Sequence, residues 1–115
     1  VRSMAEQCER PIIFPLSNPT SKAEATPHDL IHWTAGKAIV AAGSPFPPVK
    51  FEQSQVRVAQ CNNAFIFPGL GLGVIASKAS RVSDAMIVAA CEALSEFAPI
   101  LTDSNAPVLP DFDQV

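Results

Sequence analysis

Two short runs of unbroken apolar residues constrain this chain more than any other feature. Ile12-Ile13-Phe14-Pro15-Leu16 and Ala38-Ile39-Val40-Ala41-Ala42 contain no polar residue to turn toward water. A strand with one wet face alternates apolar and polar. A continuous apolar run instead reads as a strand covered on both faces, as in a parallel sheet. Pro15 gives the ladder no donor, so pairing is expected to end near it. Ser17-Asn18-Pro19-Thr20 then forms a tight loop. Between the runs lies a helix start. Thr26 can cap, Pro27 suits the first helical position, and Asp29 stands where a capping-box carboxylate closes the turn. Leu30, Ile31 and Trp33 supply its apolar face, and Gly36 stops it. Strand, helix, strand in that order predicts an α/β fold.

The flanking segments follow from the same rules. Residues 1–10 read as helix, ended by Arg10-Pro11, because proline pushes its predecessor out of the helical region. Gly43-Ser44-Pro45 closes the second strand, and Pro47-Pro48 stiffens the loop after it. Val49, Phe51, Val56 and Val58 alternate with polar residues, as in a small hairpin. Ala64 to Ala79 is expected to be helical after Pro68. Ser83 caps a helix over Asp84 to Phe97, whose Ala85, Met86, Ala89, Ala90, Ala93, Leu94 and Phe97 recur at helical spacing. The acidic tail from Thr102, with Pro107 and Pro110, reads as loop.

Composition excludes several functions. The chain has 115 residues, room for one core, and 48% of them are hydrophobic. Charged residues are only 17% and the net charge is −3, so no basic surface exists for nucleic acid or an anionic membrane. Cys8, Cys61 and Cys91 are odd in number and widely spaced, which fits neither a disulfide framework nor a zinc ribbon. A reducing compartment, the cytoplasm, is expected. The residues from Val58 to Ser77 carry no charge, but the fully apolar part is short and holds Pro68, so no membrane span is expected. Position 1 is not Met, no h-region follows, and the opening helix has no N-cap. The chain is therefore expected to begin inside an element, as a piece of a longer protein.

Three motifs imitate known sites. His28 and His32, four apart with Asp29 between, resemble a zinc-peptidase helix, but they are the only histidines and the helix is short. They read as solvent-facing. Gly71-Leu72-Gly73-Val74-Ile75-Ala76 imitates a dinucleotide fingerprint, yet no strand precedes it. It reads as a helix whose small residues admit a close neighbour. Cys61 has no histidine nearby in sequence to activate it and reads as a plain thiol.

Three neutral amides remain. Asn18 follows the carboxyl end of a buried strand, where ligands bind in open α/β sheets. Asn62-Asn63 precedes a glycine-rich apolar helix whose first N–H groups can face an anion. A carboxamide donates to a carboxylate or a ribose hydroxyl without adding charge. Together they predict a site for an anionic small molecule. The alternative is that each asparagine caps a turn.

Arg10-Pro11-Ile12-Ile13-Phe14-Pro15-Leu16-Ser17-Asn18-Pro19-Thr20 resembles the malic enzyme family. So do Trp33-Thr34-Ala35-Gly36, Ala42-Gly43-Ser44-Pro45-Phe46 and Gln60-Cys61-Asn62-Asn63-Ala64-Phe65-Ile66-Phe67-Pro68-Gly69. Arg81-Val82-Ser83-Asp84 and Val108-Leu109-Pro110 also match, in the family's order and spacing. The resemblance covers essentially the whole chain and is nearest to the smaller bacterial type. It implies a partial Rossmann-like NAD(P)-binding fold, with residues 1–115 as the carboxy-terminal part of that domain, incomplete at both ends. It implies oxidative decarboxylation of L-malate to pyruvate and CO₂ with NAD or NADP as oxidant. Mg²⁺ or Mn²⁺ is implied as the Lewis acid. Asn18 would contact the malate carboxylate or the nicotinamide end, and Asn62 or Asn63 the other.

The family's tyrosine acid, lysine base, acidic metal ligands and phosphate loop are expected upstream of Val1. Tyrosine is absent from this chain, and Lys22, Lys37, Lys50 and Lys78 do not stand in the base's context. No catalytic residue and no metal ligand is therefore assigned within it, and the chain alone is expected to be inactive. Its implied partners are malate and pyruvate, the rest of the malic enzyme chain and further copies in a homo-oligomer. A small non-catalytic module that binds an anionic metabolite is the competing function.

Overall fold

The structure, a computed structural model, describes residues 1–114. The elements run α1 (Arg2–Gln7), β1 (Ile12–Ile13), α2 (Pro27–Trp33), β2 (Ile39–Ala42), β3 (Val49–Phe51), β4 (Ser54–Val56), β5 (Ala59–Gln60), α3 (Phe67–Ser77) and α4 (Asp84–Glu96). Short 3₁₀ turns occupy Thr20–Lys22, Asn63–Phe65, Pro99–Leu101 and Phe112–Gln114.

β1, β2 and β5 form a parallel sheet in the order β1-β2-β5. β3 and β4 form the expected antiparallel hairpin, with Val49 opposite Val56. Val40, Ala41 and Ala42 are all buried, so successive side chains of β2 are covered on both faces. Leu30, Ile31, Ala38, Val40 and Val49 make the core, with Ile13, Phe51 and Val56 against it. β5 is two residues long and carries no apolar run, so nothing in the sequence announced it.

β1 departs from expectation. Only Ile12 and Ile13 pair, and Ile12 is 60% exposed rather than covered on both faces. The reason is position: β1 is the edge of a three-stranded sheet. Pro15 still accepts a bond from the Gly43 amide at 3.0 Å, although it cannot donate one.

The helix starts follow the caps. Thr26 Oγ1 accepts from the Asp29 amide (3.2 Å) and donates to the Asp29 carboxylate (2.7 Å). Ser83 Oγ accepts from the Met86 amide at 3.4 Å. Gly36 ends the α2 turn at φ +76°, which disfavours a side chain, and a methyl there would also press on the Phe51 ring. The tail is tied back to the sheet. Arg57 donates to both carboxylate oxygens of Asp111 (3.0 and 2.8 Å), and the Phe65 and Phe112 rings stack 4.1 Å apart.

Among the described residues no helix is long and apolar enough to cross a membrane.

Candidate functional site

The carboxyl ends of β1 and β5 open onto one crevice, and the loop after β2 lies beside it against Asn18. Asn18 stands in the loop leaving β1, Gly43 and Ser44 follow β2, and Cys61, Asn62 and Asn63 follow β5. The register brings these loops together. The Gly43 amide bonds the Pro15 carbonyl, and the Cys61 amide bonds the Ala42 carbonyl at 2.8 Å.

Asn18, Cys61, Asn62 and Asn63 line a single cavity of about 270 Å³, with Leu16 and Leu109 among its apolar walls. None of its lining residues is charged. Its size is a little under the roughly 300–1,000 Å³ of drug-sized ligand pockets, which suits a small acid rather than a whole dinucleotide.

The three asparagines are not equivalent. Asn62 Oδ1 accepts from the Ala64 amide at 3.1 Å and caps the Asn63–Phe65 turn. That is the turn-capping role, and it uses one of the first N–H groups of that turn. Asn63 is exposed and makes no side-chain hydrogen bond among the described residues, so its amide is open to a ligand. Asn18 Oδ1 accepts from the Ser44 hydroxyl, which leaves its NH₂ to donate. The peptide between Asn18 and Pro19 is cis.

The Asn18 loop is held from two sides. A methyl on Gly43 would run into the Leu16 carbonyl, so only glycine permits the approach of β2 to this loop. Opposite, the Ser17 hydroxyl and amide both donate to the Glu24 carboxylate. The Ser17 hydroxyl, with the backbone bonds, holds the Glu24 carboxyl below its ordinary value. Burial pushes the Cys61 thiol up, so it is a protonated wall of the cavity rather than a nucleophile.

Gly43 and Ser44 were read only as the end of a strand and as part of a family-like run, with no role at the site. Their position, immediately after a buried parallel strand, was the available signal.

The imitating motifs dissolve. The His28 and His32 rings stack 4.1 Å apart on an exposed helix face, and His32 Nδ1 lies 2.8 Å from the His28 carbonyl. Among the described residues no group of three or more His, Cys, Asp or Glu side chains could hold a metal. Gly71 and Gly73 lie inside α3, which follows a 3₁₀ turn and not a strand. A methyl on Gly73 would sit at an ordinary 4.0 Å from Met86, and methyls on Gly69 or Gly71 would meet nothing within 4 Å, so the expected close neighbour is not what requires these glycines.

Known proteins are similar to this sequence. The family model described as "Malic enzyme, NAD binding domain" matches residues 1–115. The chain is 56% identical, over all 115 residues, to NAD-dependent malic enzymes of Shewanella sp. (strain ANA-3) and Shewanella baltica (strain OS155 / ATCC BAA-1091). It is 54% identical to that of Shewanella halifaxensis (strain HAW-EB4). It spans 20% of the length of each of these relatives. With parallel strands, flanking helices and a match from end to end, the chain belongs to the malic enzyme NAD-binding domain family.

Proposed function

We propose that this chain forms part of the substrate and nicotinamide pocket of a malic enzyme. The overall reaction converts L-malate and NAD⁺ to pyruvate, CO₂ and NADH. NAD, when bound, accepts the hydride from C2 of malate. The observation that carries the reading is the single uncharged cavity lined by Asn18, Asn62 and Asn63 at the carboxyl edge of the parallel strands. NAD is preferred over NADP because it is named in the family and in its relatives.

In this reading Asn18 and Asn63 donate N–H groups to the malate carboxylate and to the nicotinamide end. Such bonds hold C2–H toward the acceptor, a positioning contribution. The apolar walls, Leu16 and Leu109, exclude water from one side. Because the cavity is uncharged, the countercharge to a dianion comes from outside this stretch. Among the described residues no group of three or more His, Cys, Asp or Glu side chains could hold Mg²⁺ or Mn²⁺, and in this reading its ligands lie elsewhere in a malic enzyme chain. Three free cysteines fit the reducing cytoplasm as its compartment.

The test is Asn18→Ala and Asn63→Ala in the full-length enzyme. Loss of a donor to a charged group is worth about 1.5–3 kcal/mol, so kcat/KM for malate should fall about 10- to 100-fold with melting unchanged. Wild-type kinetics in both variants would refute the reading.

A further inference from the structure

We propose that Ser44 is a positioning residue that orients the Asn18 carboxamide toward the cavity. The inference rests on the reading of that cavity as the malate site. A carboxamide has an accepting end and a donating end, and rotation of its terminal torsion exchanges them at little cost. A carboxylate only accepts, so just one of the two orientations binds malate. The Ser44 hydroxyl meets Oδ1 and donates to it, which leaves Nδ2 to donate elsewhere.

The backbone around Asn18 is already fixed by other contacts. The Gly43 amide bonds the Pro15 carbonyl at 3.0 Å, and the absent side chain of Gly43 makes room for both Leu16 and Asn18. Across the loop, Glu24 holds the Ser17 amide at 3.4 Å. What these contacts leave free is the rotation of the Asn18 side chain, and Ser44 removes that freedom. Ser44 lies two residues past the end of β2, so the central strand of the sheet delivers the hydroxyl. A donor on Oδ1 and an anion at Nδ2 polarise the amide in the same sense, so the two bonds support one another.

The experiment uses the full-length enzyme with Ser44→Ala, Ser44→Thr, Asn18→Ala and the Ser44→Ala/Asn18→Ala double variant. Ser44→Ala should raise KM for malate about 3- to 10-fold and change kcat less, as expected for one neutral hydrogen bond. Ser44→Thr, which keeps the hydroxyl, should stay near wild type. In the Asn18→Ala background, Ser44→Ala should add nothing, because the group it orients is gone. An unchanged KM in Ser44→Ala overturns the proposal. So does an equal effect in both backgrounds, or a Ser44→Thr variant as impaired as Ser44→Ala. If Asn18→Ala still raises KM in those cases, only the role of Ser44 fails. If Asn18→Ala is silent, the role of Asn18 in the malate site fails with it.

Discussion

Thr34 is 2% exposed and is the buried polar side chain of the core. It caps the end of α2, donating to the Leu30 carbonyl at 2.8 Å and accepting from the Ala38 amide at 3.2 Å. One hydroxyl therefore joins the end of α2 to the start of β2. Thr34→Val keeps the shape and leaves the Ala38 amide unpaired. It should cost about 1–3 kcal/mol, seen as a lower urea midpoint, while Thr34→Ser keeps the bond and should cost less. Sequence could name Asn18, Asn62 and Asn63 because strand ends and helix starts are local features. It could not distinguish Asn62 from Asn63, because a cap bond depends on which way the backbone turns before the 3₁₀ segment. Nor could it pair Ser44 with Asn18, 26 residues away, since only the β1–β2 register brings them together.

Helices α2 and α4 were legible because capping is written in neighbouring residues, whereas α1 and α3 have no side-chain cap. Thr26 with Asp29, and Ser83 before α4, form as their spacing requires. The β3–β4 hairpin was legible from alternation. β5 was not, because two residues hold no period and the strand exists only through its neighbour β2. The loop after β1 carries a pH dependence of its own. The Ser17 hydroxyl lowers the Glu24 pKa, so the Ser17–Glu24 clasp is present above the ordinary glutamate value. It is lost as pH falls through the lowered folded value. In an NMR titration of the full-length enzyme, the Glu24 carboxyl should titrate below an ordinary glutamate, with the Ser17 amide shift following it. Glu24→Gln should abolish that amide titration. A Glu24 midpoint at or above the ordinary value, or a Ser17 amide that does not move, would remove the clasp from the account.

The whole molecule is stretched. Its radius of gyration is 15.9 Å and its longest extent 51 Å, whereas a compact chain of this length measures about 13 Å. The difference lies in α3 and α4, neither of which has a buried residue. Of the residues read from the sequence as one face, Met86, Ala89, Ala90, Ala93, Leu94 and Phe97 share one side of a groove of about 550 Å³ opposite α3, and Ala85 does not line it. Other apolar side chains stay open: Phe67 is 64% exposed, Leu72 67% and Ile75 76%. An open apolar area of that kind binds hydrophobic dyes. The isolated 115-residue chain should therefore bind such a dye, melt with poor cooperativity and form no NADH from malate. A sharp two-state melt without dye binding, or malate-dependent NADH production, would contradict this and favour an independent module.

Sequence alone determined the local grammar: where helices start, where prolines stop strands, which runs are apolar and which family the motifs resemble. These depend on residues a few positions apart, whose geometry the backbone fixes directly. Only the tertiary structure decided that the ends of β1 and β5 share one cavity, that Asn62 is spent on a cap and that Ser44 reaches Asn18. The Asn62 cap follows from the local turn of the backbone, while the shared cavity and the Ser44–Asn18 bond follow from parallel register, which joins residues distant in sequence through backbone bonds that form whatever the side chain.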